Sequence, residues 1–168
     1  MQRKGVHIVI CSFCLLVSLL LSATEPSAGI LGAEDVKRVV PPSYFFRGQS
    51  ASVQLRNSAG FRTSDGKLVL AGLVDTSGYA TDVAEKYQGF LITEAKLTFD
   101  GATLDPGAYG FGFKDGKFLV MNVASTDLFS VASQNDDQGK RPVPLKLEKD
   151  GEVYRLYAGR KYVVVKAD

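Results

Sequence analysis

Apolar and polar positions alternate along most of this chain in short runs, rather than recurring every three to four residues. Ser52–Asn57 alternates through Val53 and Leu55. Phe90–Phe99 sets Ala95, Leu97 and Phe99 on one side and Glu94, Lys96 and Thr98 on the other. A period of two marks a strand with one buried face. Lys67–Val74 (KLVLAGLV) is almost continuously apolar, as a central strand covered on both faces would be. Tyr162–Val165 reads as the last strand. Turn signals recur between these runs. The pattern predicts an all-β fold, an antiparallel meander of about eight strands forming a barrel or a two-sheet sandwich. Periodicity alone does not choose between those two.

Two stretches depart from the strand period. Ala33–Val40 (AEDVKRVV) suits one short helix, ended by Pro41-Pro42. Thr81–Gln88 (TDVAEKYQ) predicts a two-turn internal helix. Thr81 is its expected cap, Val83 and Tyr87 share a face, and Gly89 ends it.

Four Asp-Gly pairs mark the turns: Asp65-Gly66, Asp100-Gly101, Asp115-Gly116 and Asp150-Gly151. Both residue types tolerate the positive φ of a type I′ hairpin turn. Closing at Asp150-Gly151 sets Leu147 opposite Tyr154 and Leu145 opposite Leu156, with Lys146 and Arg155 on the charged face. Closing at Asp115-Gly116 sets Phe113 opposite Phe118, Phe111 opposite Val120 and Tyr109 opposite Asn122. The other face of that hairpin pairs Gly112 with Leu119 and Gly110 with Met121. Both faces therefore read as buried, with glycines leaving room for a close approach.

The same glycine-rich stretch, Leu104–Val123 (LDPGAYGFGFKDGKFLVMNV), superficially resembles a phosphate loop. The spacing fails. A G-x-G-x-x-G beginning at Gly110 needs glycine where Asp115 stands, and Lys117 is followed by Phe118 rather than Ser or Thr. Such loops also lead into a helix, whereas Phe118–Val123 reads as strand. Ser64-Asp65-Gly66-Lys67 has the spacing of a serine acyl-enzyme motif but lies in a turn instead of at a helix start. Ser133–Lys140 (SQNDDQGK) has the acidic content of a calcium loop without its ligand spacing.

The beginning of the chain changes the picture of composition. Arg3 and Lys4 precede Ile8–Leu21, an uncharged apolar run of 14 residues, and small residues follow. This order predicts a secretory signal peptide over residues 1–23, a signal helix cleaved near Ala23 with Ala28 as second choice. The run is shorter than the roughly 20 residues a spanning helix needs. A lead segment would occupy 24–43 and a single β domain 44–168. The localisation expected is secreted or periplasmic, with membrane contact only if the leader stays uncleaved.

Removing the leader leaves 18 basic and 18 acidic residues, a net charge of zero. No cationic excess is left to neutralise phosphates, so nucleic acid is not an expected partner. The only histidine, His7, and both cysteines, Cys11 and Cys14, lie in the leader. The rest of the chain therefore has no Ser-His-Asp triad, Cys-His pair, thiolate site or histidine-ligated metal. No catalytic residue, metal or cofactor is assigned.

Polar and aromatic residues cluster at Tyr44–Gln49 (YFFRGQ) and Asp75–Tyr79 (DTSGY). An Arg47–Asp75 ion pair with Ser77 and Tyr79 would make a polar pocket mouth, and Tyr109 and Phe111 would offer an aromatic lining. These six are the candidate ligand-binding residues. In order, PPSYFFRGQ, LVDTSGY, KYQGFL and LDPGAYGFGF resemble a group of uncharacterised secreted bacterial β-domain proteins, from about Val39 to the end. The resemblance implies an exported β fold and no catalytic residue.

Three functions are compatible with these observations. The leading one is an exported, non-enzymatic β domain that binds a small molecule or a cell-envelope partner. Another is a glycosidase-like hydrolase with two carboxylates about 5–10 Å apart, drawn from Asp75, Asp82, Glu85 and Glu94. The third is a structural envelope component.

Overall fold

The computed structural model describes residues 27–139 and 141–168. The expected signal segment lies outside them. The described chain is an antiparallel β sandwich of two open sheets, so sandwich replaces barrel among the two closures the sequence allowed. Among the described residues no helix is long and apolar enough to cross a membrane.

The larger sheet runs β1 (Gly29–Ile30), β3 (Gln49–Arg62), β4 (Leu68–Val74), β5 (Gly89–Thr93), β8 (Gly107–Lys114), β9 (Lys117–Asn122), β10 (Asp127–Ala132). Strand β2 (Ser43–Phe46) also pairs with β3. The smaller sheet runs β12 (Val143–Asp150), β13 (Val153–Gly159), β14 (Lys161–Ala167), β6 (Leu97–Phe99), β7 (Ala102–Leu104). Strand β11 (Gln134–Asn135) joins β14. Helices α1 (Ala33–Val39) and α2 (Thr81–Ala84) are short.

Two apolar layers hold this together. The first lies between the sheets and contains Phe61, Leu91, Phe99, Phe111, Phe118, Val120, Leu156 and Val163. The second lies on the outer face of the larger sheet. There Leu70, Val74, Phe90 and Met121 meet Val36 of α1, Tyr44 and Phe46 of β2, and Val83 and Tyr87 at α2. The continuous apolar run of β4 is thereby explained, since alternate residues enter different layers. From Gly29 onward the lead segment belongs to the same body, because β1 pairs with β3 and α1 covers its outer face.

The β8–β9 hairpin closes at Asp115-Gly116 in the expected register, with Phe113 opposite Phe118 and Gly110 opposite Met121. Asp115 and Gly116 take φ of 50° and 71°, as a type I′ turn requires. Close approach explains its glycines. A Cβ on Gly110 would meet the Phe46 ring at 2.5 Å, and one on Gly112 would lie 1.8 Å from the Lys86 carbonyl oxygen.

Elsewhere the structure corrects the sequence reading. The β12–β13 turn uses Gly151-Glu152, so Leu147 faces Leu156 and Lys149 faces Tyr154. Only Gly151 has a positive φ, at 60°, which fits a II′ turn with glycine first. Asp150 stays in the ladder, where its carboxylate accepts a hydrogen bond from Arg155. The slip of two keeps the apolar and charged faces intact.

Phe90–Phe99 is two strands rather than one. Thr93 Oγ1 donates to the Ala95 carbonyl at 2.6 Å and accepts from the Ala95 amide at 3.1 Å, replacing ladder bonds and turning the chain. Strand β5 thus ends in the larger sheet and β6 begins in the smaller one. Helix α2 is one turn, preceded by Ala80 and uncapped by any side chain, so Thr81 is its first residue and not its cap. Gly89 opens β5. Strand β3 extends to Arg62, and β10 follows β9, both beyond the runs read from alternation.

Candidate functional site

Three turns meet on the outer side of the larger sheet. The first is the β2–β3 turn. Its two central residues are Arg47 and Gly48, at φ 47° and 81°. A type I′ turn favours Asn, Asp or Gly in its first position, so arginine there is an unfavourable choice. The second is the β9–β10 turn, built around Asn122. Its Oδ1 accepts from the Ala124 and Thr126 amides, each at 3.0 Å, and Ser125 sits at φ 70°. The Arg47 amide donates to the Val123 carbonyl at 2.7 Å and ties the two turns together. The third element is α2 with the residues on either side of it.

Tyr79 fixes the first turn against the third element. Its hydroxyl lies 3.1 Å from the Phe46 carbonyl oxygen and 3.3 Å from that of Gln49. Gln49 Nε2 returns a bond to the Gly78 carbonyl at 3.2 Å. Below, the Phe46 and Tyr87 rings stack at 3.8 Å, with Tyr79 edge-on to Tyr87 at 5.3 Å. The Gln88 side chain bonds both the amide and the carbonyl of Phe113, so the segment after α2 is held on β8.

Between the three turns lies an open cleft of about 410 Å³, lined by Arg47, Asp82, Val83, Lys86, Ala124 and Ser125. Its volume falls at the lower end of the roughly 300–1,000 Å³ of small-molecule sites. Lys86 Nζ pairs with Asp127 at 2.9 Å. Among the described residues, the Arg47 guanidinium and the Asp82 carboxylate enter no ion pair or side-chain hydrogen bond. Among the described residues, two of the four non-glycine positions with left-handed backbone, Arg47 and Ser125, line this cleft. The other two, Asp100 and Asp115, are ordinary Asp-Gly turn residues.

The six residues singled out in the sequence fall into three places. Arg47 lines the cleft, and Tyr79 braces the turn that carries it. Asp75 and Ser77 form a local turn instead of an ion pair with Arg47. Asp75 Oδ1 accepts from the Ser77 amide at 3.0 Å, which lowers the carboxyl below its ordinary pKa range. Tyr109 and Phe111 sit on the inner face of β8. Phe111 is fully buried among Phe113 and Phe118, and the Tyr109 hydroxyl donates to the Asp105 carbonyl at 2.9 Å. The aromatic stripe is core packing.

The four candidate carboxylates also separate. Asp75 holds its turn, Glu85 pairs with Lys114, and Glu94 accepts from the Leu68 amide at 2.7 Å. Only Asp82 lines the cleft. Among the described residues no group of three carboxylates is placed to hold a metal ion. Sequence reasoning missed Lys86, Ala124 and Ser125. The polar break Asn122–Asp127 was the available signal, but it reads as a turn only once β10 is seen to follow.

Beneath the cleft two hydroxyls are orphaned. Tyr44 and Tyr87 are 6% and 0% exposed, and among the described residues neither hydroxyl meets a partner at hydrogen-bonding geometry, the neighbouring Tyr79 hydroxyl being taken by the Phe46 and Gln49 carbonyls. Burial pushes both phenols well above their ordinary pKa. Compared with known proteins, the chain matches no family model, and it has no significant match among the curated proteins or the solved structures.

Proposed function

We propose that this protein is an exported, non-enzymatic β domain that binds a small ligand, and that the cleft between the three turns receives it. One observation carries this reading. A cation is presented on a left-handed turn residue, in a cleft of small-molecule size, with no ion-pair partner among the described residues. Backbone strain of this kind is typical of positions that serve a site.

The chemistry of the lining supports binding over turnover. Glycoside hydrolysis in its common form needs two facing carboxylates, and the cleft offers Asp82 alone. The order of basic, apolar and small residues at the N-terminus supports export. The resemblance of the YFFRGQ, LVDTSGY and LDPGAYGFGF stretches to secreted bacterial β domains supports the same location. In this reading the sandwich is a rigid platform, and the turns at one side of it do the recognising.

Native mass spectrometry of the protein, purified without denaturation from the cells that make it, tests the proposal. The expected spectrum shows a chain beginning near residue 24 and a non-covalent adduct of a few hundred daltons. That adduct should be lost on raising the collision energy. Unprocessed chain free of any adduct would refute both the export and the binding.

A further inference from the structure

The cleft offers one uncompensated charge of each sign. Lys86 is neutralised by Asp127 at 2.9 Å, whereas among the described residues Arg47 and Asp82 pair neither with each other nor with a third group. A simple anion on Arg47 would face the Asp82 carboxylate. A simple cation on Asp82 would face the guanidinium. From this we infer that the ligand is a zwitterion of amino-acid or dipeptide size, its carboxylate on Arg47 and its ammonium on Asp82. The inference rests on the binding reading above and adds the chemical class.

Each part of the lining has a role in such a complex. The guanidinium presents a planar fork of donors that matches a carboxylate with two parallel bonds. Asp82 supplies acceptors for an ammonium. Val83 and Ala124 give the ligand's body an apolar wall, and the Ser125 hydroxyl is free to bond an amide or a carboxylate edge. The Arg47 backbone is anchored through its amide to Val123, and its turn is braced by Tyr79. The fork is therefore projected from a fixed point.

Calorimetric titration of the full protein with alanyl-alanine, N-acetyl-alanyl-alanine and alanyl-alanine amide tests the charge requirement. Free alanyl-alanine is expected to bind. Blocking either end should weaken binding roughly tenfold or more, because each cap removes a charge-assisted contact. Arg47→Asn suits the left-handed turn and should remove the preference for a free carboxylate. Asp82→Asn should remove the preference for a free amine. The blocked dipeptides decide the question on the unaltered protein should a variant misfold.

Equal binding of the acetylated and free dipeptides would overturn the zwitterion and leave an anion site. No binding of any of the three would overturn the inference outright. If native mass spectrometry still found an adduct, the binding reading would survive that result. If it found none, both would fall together.

Discussion

Arg47 occupies a turn position where asparagine is the better residue. Arg47→Asn is expected to stabilise the fold by about 1 kcal/mol, the usual scale of left-handed strain on a side chain that resists it. A higher Tm together with loss of ligand would mark Arg47 as serving the site. A lower Tm would mean the arginine serves the turn.

The orphaned hydroxyls of Tyr44 and Tyr87 set up a second test at the same scale. Their phenols are pushed up by burial, so the folded state holds these protons more tightly than the unfolded chain does. The resulting stability is complete below the unfolded value of 10.0 and is lost as pH rises above it. Tyr87→Phe removes a hydroxyl that has no hydrogen-bond partner among the described residues. It should leave stability at neutral pH unchanged or raise it by about 1 kcal/mol, and it should flatten the loss above about pH 10. Urea titrations on both sides of that pH check this, and a loss of more than about 1 kcal/mol at neutral pH would show the hydroxyl to be hydrogen-bonded.

Among the elements, close approach makes the sharpest claim. Both Gly110 and Gly112 face the outer layer of β8, yet their neighbours differ. A Cβ at Gly112 meets backbone, the Lys86 carbonyl at 1.8 Å, while one at Gly110 meets the end of the Phe46 ring at 2.5 Å. A ring tilts more readily than a bonded segment moves. Gly112→Ala should therefore cost about 3 kcal/mol and Gly110→Ala clearly less, measured by denaturant unfolding. Gly112→Ala should also loosen the segment after α2 and with it the Lys86 side of the cleft.

How much was legible varies between elements for physical reasons. The β8–β9 register was readable because Asp115 and Gly116 both accept left-handed backbone and the flanking side chains agree on both faces. At Asp150 the same dipeptide misled. Arg155 keeps the Asp150 carboxylate in the ladder, and glycine alone is enough for a II′ turn. The alternation of Phe90–Phe99 was right face by face but blind to the corner. Thr93 bonding to Ala95 changes the sheet without changing which residues are buried. Arg47 was found from its aromatic neighbours. Its cleft was not, because Ala124 and Ser125 are distant in sequence and lack distinctive chemistry.

At the scale of the molecule, the larger sheet is covered on both faces, by the layer between the sheets and by the outer layer. Strands β4, β5 and β8 are thus flanked by neighbours on both edges and by apolar layers above and below. Strand β10 has a partner on one edge only, and four of its six residues are exposed. Opening the outer layer would uncover Phe46, Tyr87 and Phe90, all fully buried, so the cleft's turns share the stability of the core beneath them. Hydrogen exchange should therefore find β4, β5 and β8 amides protected longest and β10 amides exchanging by local opening. The amides of Arg47 and Ala124, bonded to Val123 and Asn122, should be protected beyond what surface turns ordinarily show. If those two exchange as freely as the amide of exposed Asp65, the three turns do not form a fixed site, and a charge-matched ligand would have nothing rigid to match.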